Sequence, residues 1–237
     1  VVAFSWPANG GGVKGVASYK SDKRDALASI GALDRCIQRL GDFLRAFNEE
    51  AHVRILGIAE KKFRFDAERR EAYIAEMMEK ECPIRISMLL HSMGNYLFKH
   101  LLLSSTYHAR ELIFDNVILA SADTNNRDHR RWADQIQCRN RLYITINEDD
   151  TALRTSRMKL GSQQHARLGH YTYDLNSRQG VYVDFTHGAH VGGSHAYFEG
   201  ESLENNAIKA FFRAAIHGER AETVLEFEPS KNLYRVR

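Results

Sequence analysis

Four short apolar runs, each followed by a segment of helical character, constrain the fold of this chain more than any other feature. The runs lie at residues 84–90, 112–120, 141–146 and 181–185. Runs of this length, bounded by turn residues, are typical of strands that are buried on both faces. Because strands that alternate with helices form parallel sheets through right-handed crossovers, the sequence predicts an α/β fold, with a mostly parallel β-sheet flanked by helices.

The longest predicted helix begins at Ser21. Its apolar residues recur at steps of three and four, which is the spacing of one helix face: Ile30, Leu33, Ile37, Leu40, Leu44 and Phe47. The following segment, residues 51–81, is charged and contains no Pro, and we expect it to be mostly helical, while residues 53–58 fit a short strand equally well on periodicity alone.

The beginning of the chain carries a further apolar run, which predicts another buried strand at residues 1–5. Natural domains seldom begin inside a core strand, so we expect this sequence to be a piece of a longer protein. The remaining helices are predicted at residues 93–103, 126–136 and 203–217, and from residue 151. A length of 237 residues suits one domain spanning residues 1–237.

The composition excludes several classes of protein. Hydrophobic residues make up 43% and charged residues 27%, as in an ordinary globular domain rather than a disordered chain. The net charge of +3 is too small to indicate a nucleic-acid partner, and the basic cluster at residues 127–132 is interpreted as a solvated helix face. No apolar run reaches the roughly 18–20 residues of a membrane span.

The three cysteines, Cys36, Cys82 and Cys138, are widely spaced and form no CxxC pair. We interpret them as reduced thiols. Because the first residues also lack the pattern of a signal peptide, we expect a cytoplasmic protein.

The most informative segment lies at residues 90–95, after a predicted buried strand and at the start of a predicted helix. A sharp strand-to-helix turn in this setting lifts a serine hydroxyl above the sheet edge, which makes Ser92 a candidate nucleophile. Gly94 allows a tight turn, and the Met93 N–H at the helix start could bind a developing oxyanion. Judged by the motif alone, the alternative is that this segment forms an ordinary turn without a catalytic role.

A nucleophilic serine requires an orienting acid, and the downstream sequence offers three carboxylates. Asp150 and its neighbour Asp149 follow the strand predicted at residues 141–146, at the edge of a parallel sheet where sites form. A carboxylate there can equally cap the next helix, and one residue can do both. Asp123, after the strand that ends at Ala120, is the rival acid.

The candidate bases are His187, His190 and His195, in a Gly-rich loop after the strand predicted at residues 181–185. An imidazole in this position completes the order serine, acid, histidine. The same three side chains could instead form a metal site. Their spacing matches no established ligand motif, so we predict neither a metal nor a cofactor.

Five short motifs occur in order along the chain: Phe4-Ser5-Trp6-Pro7-Ala8, Tyr19 with Asp22, His91-Ser92-Met93-Gly94-Asn95, Asp150-Thr151-Ala152-Leu153 and Ser194-His195-Ala196-Tyr197-Phe198. With them the chain resembles an uncharacterised bacterial family of the α/β-hydrolase superfamily. The resemblance implies Ser92 as nucleophile, Asp150 as acid and His195 as base. The preference for His195 over His187 and His190 comes from the resemblance alone.

The chain also departs from that family pattern. The segment at residues 51–81 is longer than the link that the resemblance implies between the first helix and the strand before Ser92, which makes residues 48–83 a candidate helical insertion or lid. Leu90 occupies the first position of the turn, where relatives carry a small residue, so we expect a looser turn. Relatives carry a His-Gly turn upstream of the first motif, which supplies a second oxyanion donor. The resemblance therefore implies an α/β-hydrolase fold without its N-terminal strands in this chain, weakly active alone or completed by a missing N-terminal segment.

The resulting functional hypothesis is a serine hydrolase that acts on a small-molecule or lipid ester through an acyl-enzyme, similar to a carboxylesterase, lipase or thioesterase. Two alternatives stay open. One is a catalytically inactive interaction domain that keeps the hydrolase fold and binds a protein partner. The other is a metal-dependent hydrolase that uses the three-histidine loop.

Overall fold

The computed structural model describes residues 1–7, 21–81, 84–104, 112–157 and 165–236. The predicted features at Ala8, Tyr19 and Cys82 lie outside these ranges. The strands are β1 Met88–His91, β2 Asn116–Ala120, β3 Arg141–Ile146, β4 Gly180–Asp184, β5 Glu226–Glu228 and β6 Leu233–Arg235. Within the described ranges they form one six-stranded sheet in the order β1-β2-β3-β4-β6-β5, in which the β5–β6 pair is antiparallel and the other pairs are parallel. The predicted α/β class with a mostly parallel sheet is confirmed.

The central strands are apolar on both faces because helices cover both sides of the sheet. Leu119 and Ile144 belong to one apolar cluster, together with residues of the helix that follows β1. Ile118 and Tyr143, their neighbours along the chain, belong to a second cluster on the opposite side. Since successive side chains of a strand point to opposite faces, this division explains why the sequence shows continuous apolar runs rather than alternation.

The helices are α1 Ile30–Lys62, α2 Ala67–Glu81, α3 Met93–Leu102, α4 Arg130–Ala133, α5 Thr151–Arg157 and α6 Asn206–Ile216, and residues 21–28 are also helical. The predicted apolar face of α1 is confirmed by the burial of Leu33, Ile37 and Leu44. α1 contacts α2, and the part of α1 from residue 48 onwards lies within residues 48–83 together with the whole of α2. The role of this segment as an insertion or lid stays a prediction.

The first and last strand assignments require correction. Residues 1–5 form no strand: Val1 and Val2 are exposed, whereas Phe4 packs against the core as an irregular segment. No described strand offers these residues a ladder of backbone partners, which a strand requires. The strand predicted at residues 181–185 is not the last one, since β5 and β6 follow it. These two strands have three residues each, too few to produce a recognisable hydrophobic pattern.

The basic cluster at residues 127–132 is not a solvated helix face throughout, because α4 has only four residues and two of the side chains are buried. Trp132 and His129 are 1% and 0% exposed. His129 Nδ1 donates to the Asn126 carbonyl oxygen at 2.7 Å, and its Nε2 accepts from the Tyr182 hydroxyl at 2.5 Å. The neutral imidazole therefore uses both ring nitrogens, and burial lowers the pKa of His129.

Two further expectations concern the cysteines and the membrane-spanning helices. Cys36 and Cys138 form no disulfide. Within the same ranges, no helix combines the length and the apolar character that crossing a bilayer requires.

Acidification is expected to destabilise the fold through His129. Its pKa in the folded protein is below the ordinary value of about 6.5, so the unfolded chain binds the proton more readily. The free energy of unfolding should therefore fall as the pH drops through about 6.5 towards the folded pKa.

Urea denaturation at several pH values tests this expectation. His129→Leu should be less stable at neutral pH and should lose part of the pH dependence. The exposed His52 provides a matched control, since His52→Gln should keep the slope of the natural protein. An unchanged slope in His129→Leu would contradict the assignment.

Candidate active site

Ser92 lies between β1 and α3 in a backbone conformation that side chains rarely adopt. Its φ is 53° and its ψ is −121°. For a residue other than Gly, this backbone conformation is unfavourable in free energy, so the surrounding structure must hold Ser92 in it. A strained serine between a parallel strand and a helix is the geometry that a nucleophile turn requires.

The buried side chain of Asn95 holds this turn. Its amide nitrogen donates to the carbonyl oxygens of Leu90 at 2.8 Å, Ser92 at 3.1 Å and Ala120 at 3.3 Å. The Ser92 N–H also donates to the Ala120 carbonyl oxygen, which ties the turn to the end of β2. These hydrogen bonds offset the backbone strain at Ser92.

The bulky Leu90 does not prevent the strained turn, contrary to the expected loosening. Its side chain is 8% exposed and lies in the same apolar cluster as Leu97 of α3. The apolar core therefore accommodates the Leu90 side chain, and the turn keeps its strained conformation.

Gly94, the second residue of α3, lies near Trp6. An added Cβ at Gly94 would lie 3.6 Å from the Trp6 ring, which is an ordinary van der Waals contact.

Met93 supplies the first backbone N–H of α3, directly after Ser92. Within the ranges that the structure describes, this N–H donates to no other group. A free N–H at a helix N-terminus is suited to binding a negatively charged oxygen. It is therefore available for the predicted oxyanion role.

Asp150 follows β3 and is fully buried. Its Oδ1 accepts from the backbone N–H of Leu153 at 2.9 Å and so caps α5. Its Oδ2 accepts from Nδ1 of His195 at 2.7 Å. The two alternatives considered for this carboxylate, a helix cap and a partner of the base, thus occur together in one side chain.

The loop that carries His195 is held against the end of β3. The Asn147 amide donates to the carbonyl oxygens of Gly192 and Ser194, both at 3.0 Å. The His195 side chain is 25% exposed, so its outer edge reaches solvent. Among the described residues, the Nε2 of this imidazole makes no hydrogen bond, which leaves it available to accept a proton.

Ser92 and His195 come close through His91. The rings of His91 and His195 have centroids 4.6 Å apart, and Ser92 is the next residue along the chain from His91. No hydrogen bond joins Ser92 Oγ to the His195 ring within the described ranges. The structure thus joins His195 to Asp150 and brings His91, the residue before Ser92, into contact with His195. Contacts of this kind often tighten only when substrate is bound.

The other candidate acids and bases in these loops pair elsewhere. Asp149 Oδ2 lies 3.1 Å from His187 Nδ1, and the His187 side chain is 84% exposed. His190 Nδ1 lies 3.6 Å from a carboxylate oxygen of Glu204. Neither His187 nor His190 forms a hydrogen bond or ion pair with Asp150, and Asp149 forms none with His195.

Asp123 lies in a buried ion pair. Its Oδ1 is 2.9 Å from the Arg167 guanidinium and also accepts from the Ser156 hydroxyl at 2.7 Å. The Asp123 backbone N–H donates to the Ser92 carbonyl oxygen at 3.2 Å. Asp123 therefore supports the turn through its backbone, while its carboxylate neutralises a buried arginine.

The three histidines of the loop do not converge on a common point, since each pairs with a different carboxylate. In the part of the chain that the structure describes, no group of three or more His, Cys, Asp or Glu side chains could hold a metal ion. The geometry of these residues gives no support to the three-histidine metal hypothesis.

Sequence reasoning missed several residues that support this site. Ser121, at φ 44°, donates its hydroxyl to the His195 carbonyl oxygen at 2.7 Å. The Tyr197 hydroxyl accepts from the Ser121 N–H at 3.0 Å and lies 2.7 Å from Thr145 Oγ1. Burial raises the pKa of Tyr197 to about 12. The motifs contained Tyr197 and Asn95, whereas no pattern marked Asn147 or Thr145.

A comparison with protein-family models shows which family the chain matches. The model described as an alpha/beta hydrolase of unknown function (DUF900) matches residues 58–187. The matched stretch contains Ser92 and Asp150 and ends before His195. Neither the search of curated proteins nor the search of solved structures gave a match.

Gly169 should be intolerant of any side chain. A Cβ at this position would lie 2.3 Å from the backbone nitrogen of Ala122, and a backbone atom cannot rotate away. Gly169→Ala should therefore lower the free energy of unfolding by about 1–3 kcal/mol. Gly57→Ala is the matched control: its Cβ would meet nothing within 4 Å, and the change should stabilise α1 by about 0.5–1 kcal/mol. If urea denaturation shows that Gly169→Ala is as stable as the natural protein, the packing described for Gly169 is contradicted.

Proposed function

Because the chain belongs to this family of alpha/beta hydrolases of unknown function, we propose that it is a serine hydrolase that cleaves an ester through an acyl-enzyme. Family membership indicates a hydrolase, and the residues of the candidate site suggest the type. The observation that carries the proposal is the hydrogen bond of 2.7 Å between buried Asp150 and His195, beside a serine in a strained turn.

In the proposed mechanism, Ser92 Oγ attacks the ester carbonyl carbon while His195 Nε2 takes the hydroxyl proton. Asp150 accepts from Nδ1–H throughout, which fixes the tautomer and stabilises the charged imidazolium. The Met93 N–H binds the oxyanion of the tetrahedral intermediate. As the intermediate collapses, His195 returns the proton to the leaving alkoxide or thiolate, and the acyl group stays on Ser92.

The second half of the reaction repeats these roles with water as the nucleophile. His195 takes a proton from water, and the hydroxide attacks the acyl carbon. The carboxylic acid is then released as Ser92 Oγ recovers the proton from His195. A carboxylic ester, a lipid ester and a thioester all present the same carbonyl carbon to Ser92, so all three substrate classes fit this scheme.

A second candidate is a non-catalytic interaction domain that retains the fold. It is favoured by one observation: within the described ranges, Ser92 Oγ has no hydrogen bond to the His195 ring. Active-site labelling separates the two candidates, because only the enzyme requires a reactive Ser92.

A fluorophosphonate probe should label Ser92, since activated serine hydroxyls attack phosphorus as they attack carbonyl carbon. Ser92→Ala should abolish labelling, as seen by mass spectrometry of the modified peptide. Ser230→Ala, at an exposed turn after β5, should be labelled like the natural protein. Folded protein that remains unlabelled would favour the interaction domain.

Paired substitutions test the choice of acid and base. Asp150→Asn should slow labelling by a factor on the order of 10⁴, because the wrong histidine tautomer is then favoured. His195→Ala should lower the rate of labelling by several orders of magnitude. The matched neighbours, Asp149→Asn and His187→Ala, should stay within a few-fold of the natural rate. Comparable losses in the two members of either pair would show that the assignment is wrong.

A further inference from the structure

The side chain of His91, the last residue of β1, contacts the proposed base. Its Nε2 lies 3.0 Å from the backbone carbonyl oxygen of His195. A carbonyl oxygen only accepts hydrogen bonds, so the His91 Nε2 carries the proton and donates it. The two rings are 4.6 Å apart between centroids, with an angle of 53° between their planes.

The His91 ring also contacts a second residue of the same loop. Phe198 meets it edge to face, at 5.0 Å between centroids and 74° between planes. The ring of His91 thus contacts the loop at two points, His195 and Phe198. A ring that contacts two residues separated by three positions restricts the rotation of the segment between them.

The His195 carbonyl oxygen accepts a second hydrogen bond from the opposite direction. Ser121, at the end of β2, donates its hydroxyl to this oxygen at 2.7 Å. With Asp150 at Nδ1, the proposed base is therefore held at its backbone by the ends of β1 and β2 and at its ring by the end of β3. Its position relative to Ser92 depends on these three contacts.

The charge state of His91 suits a donor in this position. Burial lowers the pKa of His91, and the charge that His195 can carry lowers it further, while the hydrogen bond to the His195 backbone and the nearby Asp150 and Glu199 act in the opposite direction. A neutral donor adds no positive charge beside an imidazolium at His195. The hydrogen bond can therefore persist through the proton transfers at the base.

We propose that His91 is a positioning residue that orients His195 towards Ser92 through the hydrogen bond to the His195 carbonyl oxygen and the contact between the rings. The proposal rests on the proposed function for the role of His195 as base. Because His91 directly precedes Ser92, its side chain links the turn that carries the nucleophile to the backbone and ring of the base. His91 itself neither exchanges a proton with the substrate nor contacts Asp150.

The tautomer of His91 is the first test, and it does not depend on catalysis. Nitrogen NMR of the natural protein should show a neutral His91 ring protonated at Nε2, at a pH of about 7. A ring protonated at Nδ1 alone would overturn the proposal, because it could not donate to the His195 carbonyl oxygen.

The second test measures how firmly His195 is held. The Nδ1–H proton of His195, identified by its loss in Asp150→Asn, should exchange with solvent roughly 3- to 10-fold faster in His91→Phe, which keeps a ring but loses the donor. His91→Gln, whose amide can donate to the same oxygen, should recover part of the protection. His100→Phe, on α3, is the matched control and should match the natural protein. Natural exchange rates in His91→Phe would overturn the proposal.

Fluorophosphonate labelling of the same variants separates this proposal from the proposed function. If Ser92 of the natural protein is labelled, His91→Phe should be labelled several-fold more slowly, with recovery in His91→Gln. A natural labelling rate in His91→Phe would overturn the positioning role. If the natural protein is not labelled, the serine-hydrolase proposal fails, and the NMR tests alone decide whether His91 holds His195.

Discussion

The carboxylate of Asp150 is fully buried, and much of the surrounding loop structure follows from the need to satisfy it. A buried carboxylate without partners would cost several kcal/mol, so both oxygens must accept hydrogen bonds. Oδ1 does so by capping α5, which a residue directly after β3 can achieve locally. Oδ2 requires a donor from elsewhere, and the loop that carries His195 supplies it. Closing this loop over Asp150 also brings His195 beside the turn at Ser92.

The parallel sheet explains why these groups meet. The carboxyl ends of β1, β2 and β3 lie at one edge, where successive crossovers leave loops of different lengths. Ser92, Ser121 and Asp150 each follow one of these strands. The strain at Ser92 and at Ser121 is tolerated because buried amides and hydroxyls hold the loops on every side. The groups of the site therefore meet because three neighbouring strands end at the same edge of the sheet, and no single loop brings them together.

The central strands β1 to β4 could be predicted from the sequence, because each carries a local apolar run. The residues that follow these strands left Asp150, Asp149 and Asp123 open as the acid, and the choice of Asp150 came from the family resemblance. The short strands β5 and β6 carry too few apolar residues for such a pattern. Three histidines in a Gly-rich loop are locally equivalent. What distinguishes His195 from the other two is the position of the folded loop. That position depends on contacts such as the one between Asn147 and Ser194, 47 positions apart, which periodicity does not encode.

The most direct test of the proposed triad is a crystal structure of the protein after reaction with an organophosphonate ester. In this adduct, phosphorus should be bonded to Ser92 Oγ, and a phosphonyl oxygen should lie within hydrogen-bond distance of the Met93 N–H. His195 Nε2 should lie within about 3 Å of an oxygen on phosphorus, with Asp150 still bound to Nδ1. An adduct on another residue, or a His195 ring turned away from Ser92 in the adduct, would contradict it.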